Sequence, residues 1–470
     1  MYLIRFIINI KGFSMKHIHI LGICGTFMGS LAVLAKQKGY RVTGSDMNVY
    51  PPMSTYLEDQ GVEIIQGFDE SQLDSNPDEI IIGNVMKRGM PIIEKILDEK
   101  MNYFSGPSWL YENILKYKKV IALAGTHGKT TTTTMTIKIL EQAGLNPSFL
   151  VGGISGDFGV SSRYTDSEYF IIEADEYDTA FFDKRSKLIH YDPTVLVINN
   201  IEFDHADIFK DIQAIYWQFH QLLRRMPSKS SVVYNAADNN VQNIIDMGCW
   251  SQAIETNVDS GVHILKHSPD YSSFTIKNGN DELDINWGFI GEHNAHNALS
   301  AYTAAKRIGV DNSDIQKALD SFKGVKRRLE VIYKDENVAL YDDFAHHPTS
   351  IKLTLEAIRN RKPDAYVVAL VDPRSNTMKS GNNKDALPSS LVRADTVLFY
   401  NHEMLQWNAK EVLKDMNSVI YLDTASDFEK QIKQILSSQK GNKIEFVMMS
   451  NGSFDGLRET LPKILGDLSE

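Results

Sequence analysis

The sequence is poor in cysteine, with only Cys24 and Cys249 among its 470 residues. Two cysteines cannot form a disulfide framework or a cysteine-ligated metal site, so we expect a reducing, cytoplasmic compartment. No apolar run approaches the roughly 20 residues of a membrane-spanning helix, which argues against membrane insertion. Positive charge is in deficit, since 49 Lys and Arg face 60 Asp and Glu and leave a net charge of −11. An acidic protein does not attract nucleic acid, so anionic ligands must be met by local clusters of basic residues.

Residues 1–14 lack the features of a targeting segment. The apolar stretch at 1–10 is short, is broken by Asn9, and is followed by no small-residue cleavage site. A strand pattern begins directly after Met15. We therefore interpret residues 1–14 as a non-native or disordered extension ahead of a natural start at Met15.

The most informative segment is a glycine loop between a strand pattern and a helix pattern. The apolar run at 120–124 leads into the loop, and the helical pattern after it has Gly144 at its end. Such a unit cradles phosphate with backbone N–H groups, a lysine and a hydroxyl that ligates Mg²⁺. Leu123 stands where the usual pattern has a glycine, so this is a shorter variant, and a plain turn is the alternative. The loop residues that we expect to bind ATP are Gly125, Thr126, His127, Gly128, Lys129, Thr130 and Thr131.

Strand patterns alternate with helix patterns along the whole chain, which predicts an α/β protein with mostly parallel sheets. The length suggests about three domains of roughly 150 residues each. We place their boundaries at 15–118, 119–326 and 327–470. The polar, alternating stretch at 257–286 predicts a small antiparallel excursion within the second domain. We find no short repeat and no low-complexity tract.

Carboxylates cluster after the strand pattern at 169–172, where Glu173, Asp175, Glu176 and Asp178 follow one another closely. They repel one another, so we expect a cation among them, although a solvated acidic loop is the plain alternative. Mg²⁺ on a nucleotide needs hard oxygen ligands, and Glu173 is the first residue beyond the apolar run. His205 follows the strand pattern at 195–198 and is flanked by carboxylates. We interpret it as a metal or phosphate ligand rather than a structural histidine.

Asn294 and Asn297 lie three residues apart, hence on one face, near the start of an alanine-rich helix pattern. Carboxamides both donate and accept hydrogen bonds, which suits the edge of an adenine. Helix capping by one asparagine is the alternative, and it explains one of the pair but not both.

Other candidates lie in the first and third predicted domains. Gly22 and Gly25 follow a strand pattern but lack the spacing of a dinucleotide fingerprint, so they are weak evidence for a diphosphate site. Asp46, at the end of the second strand, could hold a ribose hydroxyl. Arg374 is suited to bind a carboxylate through two parallel hydrogen bonds. A solvated turn is the alternative for the basic residues at 326–328.

Taken in order, these motifs resemble the Mur ligase family over nearly the whole chain from Met15. They are the glycine loop at 125–131, Glu173-Ala-Asp-Glu, Asn200-Ile-Glu-x-Asp-His205, His293-Asn-x-x-Asn297, Arg327-Arg-Leu-Glu and Asp342-Asp-x-x-His-His-Pro. The resemblance implies a three-domain architecture: an N-terminal Rossmann-like UDP-binding domain, a central P-loop ATPase-like domain and a C-terminal Rossmann-like domain. It implies ATP-dependent, ADP-forming amide ligation in peptidoglycan synthesis, with Mg²⁺, in a cytoplasmic monomer that serves cell wall formation, cell shape and division.

The resemblance also implies roles for individual residues. The glycine loop holds ATP, and the residues that act in catalysis are Lys129, Glu173, His205 and Arg328. The metal ligands implied are Thr130, Glu173 and His205. Adenine and the rest of the nucleotide fall to His293, Asn294, Asn297, Arg328 and Asp343, the UDP-sugar to Gly22, Gly25 and Asp46, and the acceptor peptide to His346, Arg374, Asn376 and Lys379. Several relatives have a lysine, carbamylated in use, about fifteen residues after the matched histidine, where this chain has His220. The resemblance leaves open whether His220 replaces it.

Within the family the chain looks most similar to two branches that start from UDP-N-acetylmuramate. One adds L-alanine, and the other adds the recycled tripeptide L-alanyl-γ-D-glutamyl-meso-diaminopimelate. Met28-Gly29 in the first domain, the stretch at 177–187 and Arg374-Ser-Asn-Thr-Met-Lys379 resemble the tripeptide branch. The alanine-adding branch is the alternative, and a slow ATPase that regulates partners is a third reading. The sequence leaves open whether tetra- and pentapeptides are accepted.

Overall fold

The computed structural model describes residues 15–50, 53–416 and 418–469. The interpretation of residues 1–14 as an extension lies outside these. The chain divides into two compact units. The first unit runs to Asn113 and takes in Ser162–Tyr164 and Thr179–Lys184, and the second unit consists of Ile114–Ser161, Thr165–Asp178 and the chain from Arg185 onward.

The strands and helices alternate along the chain as the sequence predicts. The strands are β1 (His17–Leu21), β2 (Arg41–Asp46), β3 (Glu63–Gln66), β4 (Glu79–Ile82), β5 (Tyr103–Ser105), β6 (Lys119–Ala124), β7 (Ser148–Leu150), β8 (Ser162–Arg163), β9 (Tyr169–Ala174), β10 (Asp178–Ala180), β11 (Asp183–Ser186), β12 (Val195–Ile198), β13 (Ser231–Asn235), β14 (Gln252–Thr256), β15 (His263–His267), β16 (Ser273–Asn278), β17 (Asp281–Asn286), β18 (Glu330–Lys334), β19 (Val338–Asp343), β20 (Tyr366–Val371), β21 (Thr396–Tyr400), β22 (Val419–Leu422) and β23 (Ile444–Met449). The helices are α1 (Thr26–Gln37), α2 (Met53–Asp59), α3 (Pro91–Asp98), α4 (Gly106–Asn113), α5 (Lys129–Gln142), α6 (Ile212–Leu223), α7 (Asn239–Asp246), α8 (Glu292–Arg307), α9 (Asn312–Asp320), α10 (Pro348–Arg361), α11 (Asn376–Ser380), α12 (Leu387–Ser390), α13 (Ala409–Val412), α14 (Ala425–Ser438) and α15 (Leu457–Ser469).

The first unit is built on a parallel five-stranded sheet of order β3-β2-β1-β4-β5. The chain leaves β1 toward β2 on one side and later resumes at β4 on the other. This change of direction makes a crevice at the carboxyl end of β1, which is where ligands of such sheets bind. The loop with Gly22 and Gly25 lies at that end.

The second unit contains a parallel sheet in which β14, β13, β12, β6, β9 and β7 lie side by side in that order. Helix α5 packs against α8 and α9, and their apolar side chains share one core with the sheet, including Leu123, Met135, Leu299 and Phe322. Because β6 lies between β12 and β9, the loops that follow these three strands meet at one edge of the sheet. The predicted antiparallel excursion is confirmed as the sheet β15-β16-β17.

The chain beyond residue 327 forms a further sheet of order β18-β19-β23-β20-β21-β22, parallel except for β18. One apolar cluster, with Ile351 and Leu355 of α10, covers one side of this sheet, and another, with Phe428 of α14 and Leu461 of α15, covers the other. Within the described residues, no helix is long and apolar enough to cross a bilayer.

Two strands extend further than the sequence suggests. Strand β9 continues through Glu173 to Ala174, and β19 includes Asp343. The hydrophobic pattern predicts Glu173 just after its strand, and the structure places it within the strand. Strand pairing with β6 and β23 carries each ladder past the last apolar residue, so hydrophobicity alone underestimates the strand length.

Candidate active site

The glycine loop connects β6 to α5 as predicted. Asn200, which follows the neighbouring strand β12, holds the loop: its carbonyl accepts from Thr126 N at 2.9 Å and its Oδ1 accepts from His127 N at 2.7 Å. Gly128 adopts a φ of 77°, and a Cβ atom there would lie 2.3 Å from Asn297 Oδ1, so glycine is required. No side chain caps the N-terminus of α5. Its first N–H groups are therefore available to an anion.

Helix α5 begins with a run of threonines, which are poor helix formers because their branched side chains lose rotational freedom. The structure shows how they are accommodated. Thr132, Thr133 and Thr134 each donate a hydroxyl hydrogen bond to the carbonyl four residues earlier, at 2.8–2.9 Å. Because each hydroxyl has a hydrogen-bond acceptor within the helix, the helix can be buried between the sheet and α8.

Lys129 is buried and faces carboxylates. Its Nζ lies 2.9 Å from Glu176 Oε2 and 3.9 Å from Asp175 Oδ1. Burial lowers the pKa of the Lys129 ammonium, but these two carboxylates more than offset that effect and raise it above its usual value. Sequence reasoning placed Glu176 in the acidic cluster but did not identify it as the partner of Lys129.

Thr130 and Glu173 form a second pair beside Lys129. Thr130 Oγ1 donates to Glu173 Oε1 at 2.9 Å, and Gly152 N donates to Glu173 Oε2 at 2.7 Å. Burial and the nearby Asp175 raise the pKa of the Glu173 carboxyl, although Lys129 opposes them. Arg328 donates to Thr130 Oγ1 at 3.3 Å and so brings the chain beyond residue 327 to the loop.

The residues present fit a magnesium ion. Glu173 is buried, and its two hydrogen bonds only partly offset the cost of ionising its carboxyl there. A hydroxyl with a carboxylate is an oxygen donor set that Mg²⁺ prefers. His205 lies on the far side of Glu176, with its Nε2 3.6 Å from Glu176 Oε1. The structure thus brings His205 into the carboxylate cluster through Glu176, with no recorded contact to Thr130 or Glu173 among the described residues.

Beside the loop lies a cavity of about 310 Å³. Of the predicted nucleotide residues, those that line it are His127, Gly128, Thr131, His293, Asn294, Asn297, Arg328 and Asp343. Gly291 occupies the N-cap position of α8, so neither asparagine caps the helix and that alternative is wrong. Asn297 Oδ1 lies 3.1 Å from Thr132 Oγ1, whereas Asn294 Nδ2 donates to the carbonyl of Ile290 at 2.8 Å.

Asp343 braces the wall of this cavity. Its two oxygens accept from Leu329 N at 2.6 Å and from Ala345 N at 2.8 Å. Burial raises the pKa of the Asp343 carboxyl to about 6, against the opposing charge of Arg328. The carboxylate thus fixes the backbone beside Arg328 as well as facing the cavity.

Glu202 joins several segments at the cavity rim, a role that the sequence did not suggest. It accepts from Thr349 Oγ1 at 2.9 Å, and it lies 2.8 Å from His127 Nε2 and 3.2 Å from His347 Nδ1. Burial raises the pKa of the Glu202 carboxyl, but the hydrogen bonds and the charges of the histidines outweigh this and lower it to about 2. The carboxyl is therefore ionised at neutral pH.

The predicted acceptor residues come from two segments: His346 lies just before α10, whereas Arg374 follows β20 and Asn376 and Lys379 lie on α11. Arg374 is engaged within the protein, with its Nε 3.1 Å from Asp372 and its guanidinium 2.5 Å from Asp455. Asn376 donates to Asp207 at 3.3 Å. His346 Nδ1 lies 2.8 Å from the carbonyl of Phe344, and burial lowers the pKa of its imidazole to about 4. Lys379 lies on α11, about one turn after Asn376.

In the first unit, Asp46 holds the loop that contains Gly22 and Gly25. Its two oxygens accept from Cys24 N at 3.0 Å and from Asn48 N at 3.1 Å. Gly22 has a φ of 81°, and a Cβ there would meet Val85 at 2.8 Å. The loop is therefore tight, and both Asp46 oxygens already accept a backbone hydrogen bond.

His220 lies buried on α6, beside the rings of Trp217 and Trp250. Burial lowers the pKa of its imidazole. Within the described part of the chain, no contact links His220 to Glu173 or His205. These contacts therefore do not support a role for His220 in place of the lysine that relatives have.

Three family models match successive parts of the chain. They are the Mur ligase family catalytic domain at residues 17–118, the Mur ligase middle domain at 123–305 and the Mur ligase glutamate ligase domain at 327–450. Together they span most of the sequence and agree with the predicted order of the domains.

Individual relatives cover nearly the same range. A UDP-N-acetylmuramate–L-alanyl-γ-D-glutamyl-meso-2,6-diaminoheptandioate ligase of Haemophilus influenzae is 47% identical over 95% of this chain and 98% of its own. A UDP-N-acetylmuramate–L-alanine ligase of Caldicellulosiruptor bescii is 34% identical over 80% of this chain and 82% of its own. The crystal structure of a murein peptide ligase from Psychrobacter arcticus superposes with a TM-score of 0.71 at 41% identity, covering 96% of this chain and 99% of that one.

Proposed function

Since the chain belongs to the Mur ligase family, we propose that it joins UDP-N-acetylmuramate to the tripeptide L-alanyl-γ-D-glutamyl-meso-2,6-diaminoheptandioate at the expense of ATP. The observation that carries this proposal is the 47% identity to a ligase of that name over almost the full length of both chains. The alanine-adding ligase is the less favoured alternative, because identity falls to 34% and coverage to 80%.

We assign domain roles along the predicted boundaries. Residues 15–118 bind the UDP-sugar with Gly22, Gly25 and Asp46, residues 119–326 bind ATP, and residues 327–470 receive the peptide. The acceptor residues proposed are His346, Arg374, Asn376 and Lys379. Because Arg374 already contacts two carboxylates, a carboxylate of the tripeptide would have to replace one of them.

The carboxylate of the sugar is a poor acyl donor, since its leaving group would be oxide. In the first step its oxygen attacks the γ-phosphorus of ATP, the bond to the β-phosphate oxygen breaks, and ADP leaves. The product is an acyl phosphate. Lys129 and the uncapped N-terminus of α5 hold the negative charge of the transferring group, and Arg328 adds a second cation.

Mg²⁺ would be held by Thr130 and Glu173, with His205 nearby, and it supplies Lewis-acid charge that offsets the phosphate oxygens. For Lys129 to reach a phosphate, its ammonium must exchange Glu176 for the nucleotide. Thr130 likewise gives up its hydrogen bond to Glu173.

In the second step the neutral amine of the tripeptide attacks the carbonyl carbon and the bond to phosphate breaks. The proton lost by the amine nitrogen passes to the departing phosphate or to solvent. An acyl phosphate hydrolyses readily, so the reaction must exclude water. The third predicted domain contributes Arg328, Asp343 and the segment around Thr349 to the lining of the nucleotide cavity, and these residues help to exclude water.

We also propose that the enzyme acts as a cytoplasmic monomer in peptidoglycan recycling and so supports cell shape and division.

The test measures phosphate release from ATP and Mg²⁺ in the presence of UDP-N-acetylmuramate, with either the tripeptide or free L-alanine as acceptor. Release that requires the tripeptide is the expected result. Release with L-alanine alone would assign the enzyme to the alanine-adding branch. Slow release that ignores both acceptors would favour a regulatory ATPase. Tetra- and pentapeptides in the same assay define the length of acceptor that is accepted.

A further inference from the structure

Three side chains from separate segments meet at the rim of the nucleotide cavity. They are His127 of the glycine loop, Glu202 after β12 and His347 before α10, and we call them the His–Glu–His cluster. One ligand atom from each lies within 4.8 Å of the others. His127 Nε2 is 2.8 Å and His347 Nδ1 is 3.2 Å from the same carboxylate oxygen, Glu202 Oε2.

These separations suit a single metal ion. Bonds of about 2.0–2.1 Å in a tetrahedral site place neighbouring ligand atoms roughly 3.3 Å apart. The 3.2 Å between His347 Nδ1 and Glu202 Oε2 is close to that value, whereas the 2.8 Å between His127 Nε2 and Glu202 Oε2 is a hydrogen-bond distance and would lengthen by about 0.5 Å around an ion. Two imidazoles and one carboxylate favour a divalent transition metal such as Zn²⁺ over Mg²⁺, which prefers oxygen ligands.

The atoms that point away from the cluster are also held. Ser350 Oγ lies 3.1 Å from His127 Nδ1, and Thr349 Oγ1 donates to Glu202 Oε1 at 2.9 Å. Hydrogen bonds of this kind fix the ring and carboxylate orientation in metal sites and are characteristic of them. The cluster is therefore preorganised by the first turn of α10.

His347 Nδ1 has two partners that make opposite demands. Thr349 N donates toward it at 3.3 Å, which requires a lone pair on Nδ1. Glu202 Oε2 lies 3.2 Å away and accepts only if Nδ1 carries a proton. One nitrogen cannot meet both demands. When the Nδ1 lone pair is present, two electron-rich atoms, Nδ1 and Oε2, lie 3.2 Å apart. A cation bound between them offsets that repulsion, and its bond to Nδ1 takes the lone pair that otherwise accepts from Thr349 N.

We propose that the His–Glu–His cluster binds one divalent transition-metal ion of the Zn²⁺ class, distinct from the magnesium of the nucleotide. The ion joins the glycine loop to α10, and its remaining coordination position opens to the cavity that His127 and Glu202 line. Zn²⁺ and MgATP therefore oppose each other's binding. Only this antagonism rests on the proposed function, because the metal site itself is defined by its ligands.

The test titrates the metal-free full-length protein with Zn²⁺ against a chromogenic chelator, and with Co²⁺ while its visible d–d absorption is recorded. The expected result is one ion per chain. His347→Asn and Glu202→Gln should each weaken Zn²⁺ binding at least about 100-fold, and Ser350→Ala about 10-fold. The control His267→Asn changes an exposed histidine outside the cluster and should leave the affinity unchanged. Circular dichroism checks that each variant is folded.

Folded His347→Asn and Glu202→Gln variants that bind Zn²⁺ as tightly as the wild type would overturn the site, as would the absence of saturable binding by the wild type. A separate titration with MgADP present should weaken Zn²⁺ binding about 10-fold or more. Unchanged affinity there, with the variant results as expected, would overturn the antagonism alone. Failure of tripeptide-dependent phosphate release would instead count against the proposed function and leave the metal site standing.

Discussion

Replacing Lys129 by methionine tests the central assignment, because it removes charge while keeping most of the side-chain volume. The Lys129 side chain is 11% exposed and that of its partner Glu176 is 3% exposed. Removing one member of a buried ion pair leaves the other charge unpaired and costs about 3–5 kcal/mol. Lys129→Met should therefore lower the free energy of unfolding by about that amount and abolish tripeptide-dependent turnover.

The double variant Lys129→Met/Glu176→Gln separates stability from catalysis. Neutralising Glu176 removes the unpaired charge, so the double variant should recover at least half of the lost stability while turnover stays absent. Stability is measured by urea unfolding followed by circular dichroism, and turnover by phosphate release.

Lys138→Met is the matched control on the same helix. Lys138 pairs with the buried carboxylate of Asp157 at 2.9 Å, away from the loop, so its loss should cost stability but leave turnover in place. Turnover like that of the wild type in Lys129→Met would refute the phosphate-loop assignment. A double variant no more stable than the single one would refute the argument from the ion pair.

Three further outcomes are expected. Gly128→Ala places a Cβ 2.3 Å from Asn297 Oδ1 at a φ of 77°, so the rate of phosphate release should fall more than about 100-fold and the free energy of unfolding by about 1–3 kcal/mol. Gly144→Ala is the control: at a φ of 74° its Cβ has no atom within 4 Å, so it introduces backbone strain alone and turnover should be retained. The pKa of the Glu202 carboxyl is lowered from 4.5 to about 2, so the ionised carboxylate stabilises the folded protein above pH 4.5 and this contribution is lost as pH falls through 2. Glu202→Gln should therefore be about 1–2 kcal/mol less stable than the wild type at pH 7, a value discounted for the partial exposure of Glu202. A stability difference that does not shrink on acid titration would contradict this. Arg374→Lys should raise the KM for the tripeptide about 10-fold without changing that for ATP, because lysine cannot make two parallel hydrogen bonds, and an unchanged tripeptide KM in steady-state kinetics would remove Arg374 from the acceptor site.

The sequence predicted which segments converge because hydrophobic runs locate strands, and parallel strands bring their carboxyl ends together. The glycine loop after β6, Glu173 in β9 and His205 after β12 are near one another for this reason. The exact strand ends escaped prediction, since ladder pairing rather than hydrophobicity carries β9 past Glu173.

Partners that depend on loop conformation were not predictable. Glu202 contacts His127 across 75 positions and Thr349 across 147, and no local pattern connects residues so far apart. Glu176 was visible as one of several acids, but which of them meets Lys129 is decided by the turn after β9. The threonine run of α5 likewise runs against local helix propensity, and it forms a helix because burial against the sheet and α8 outweighs that preference.

In the structure Lys129 is paired with Glu176, and Glu173 accepts a hydrogen bond from Thr130. A phosphate that bound Lys129 alone would leave the carboxylate of Glu176 buried without its cation. A divalent ion that bound Glu173 alone would be repelled by the buried ammonium of Lys129. Only a ligand that delivers anionic oxygens and a cation together can replace both sets of contacts at once. We therefore expect the site to bind the complex of Mg²⁺ with the nucleotide at concentrations where neither free phosphate nor free Mg²⁺ binds.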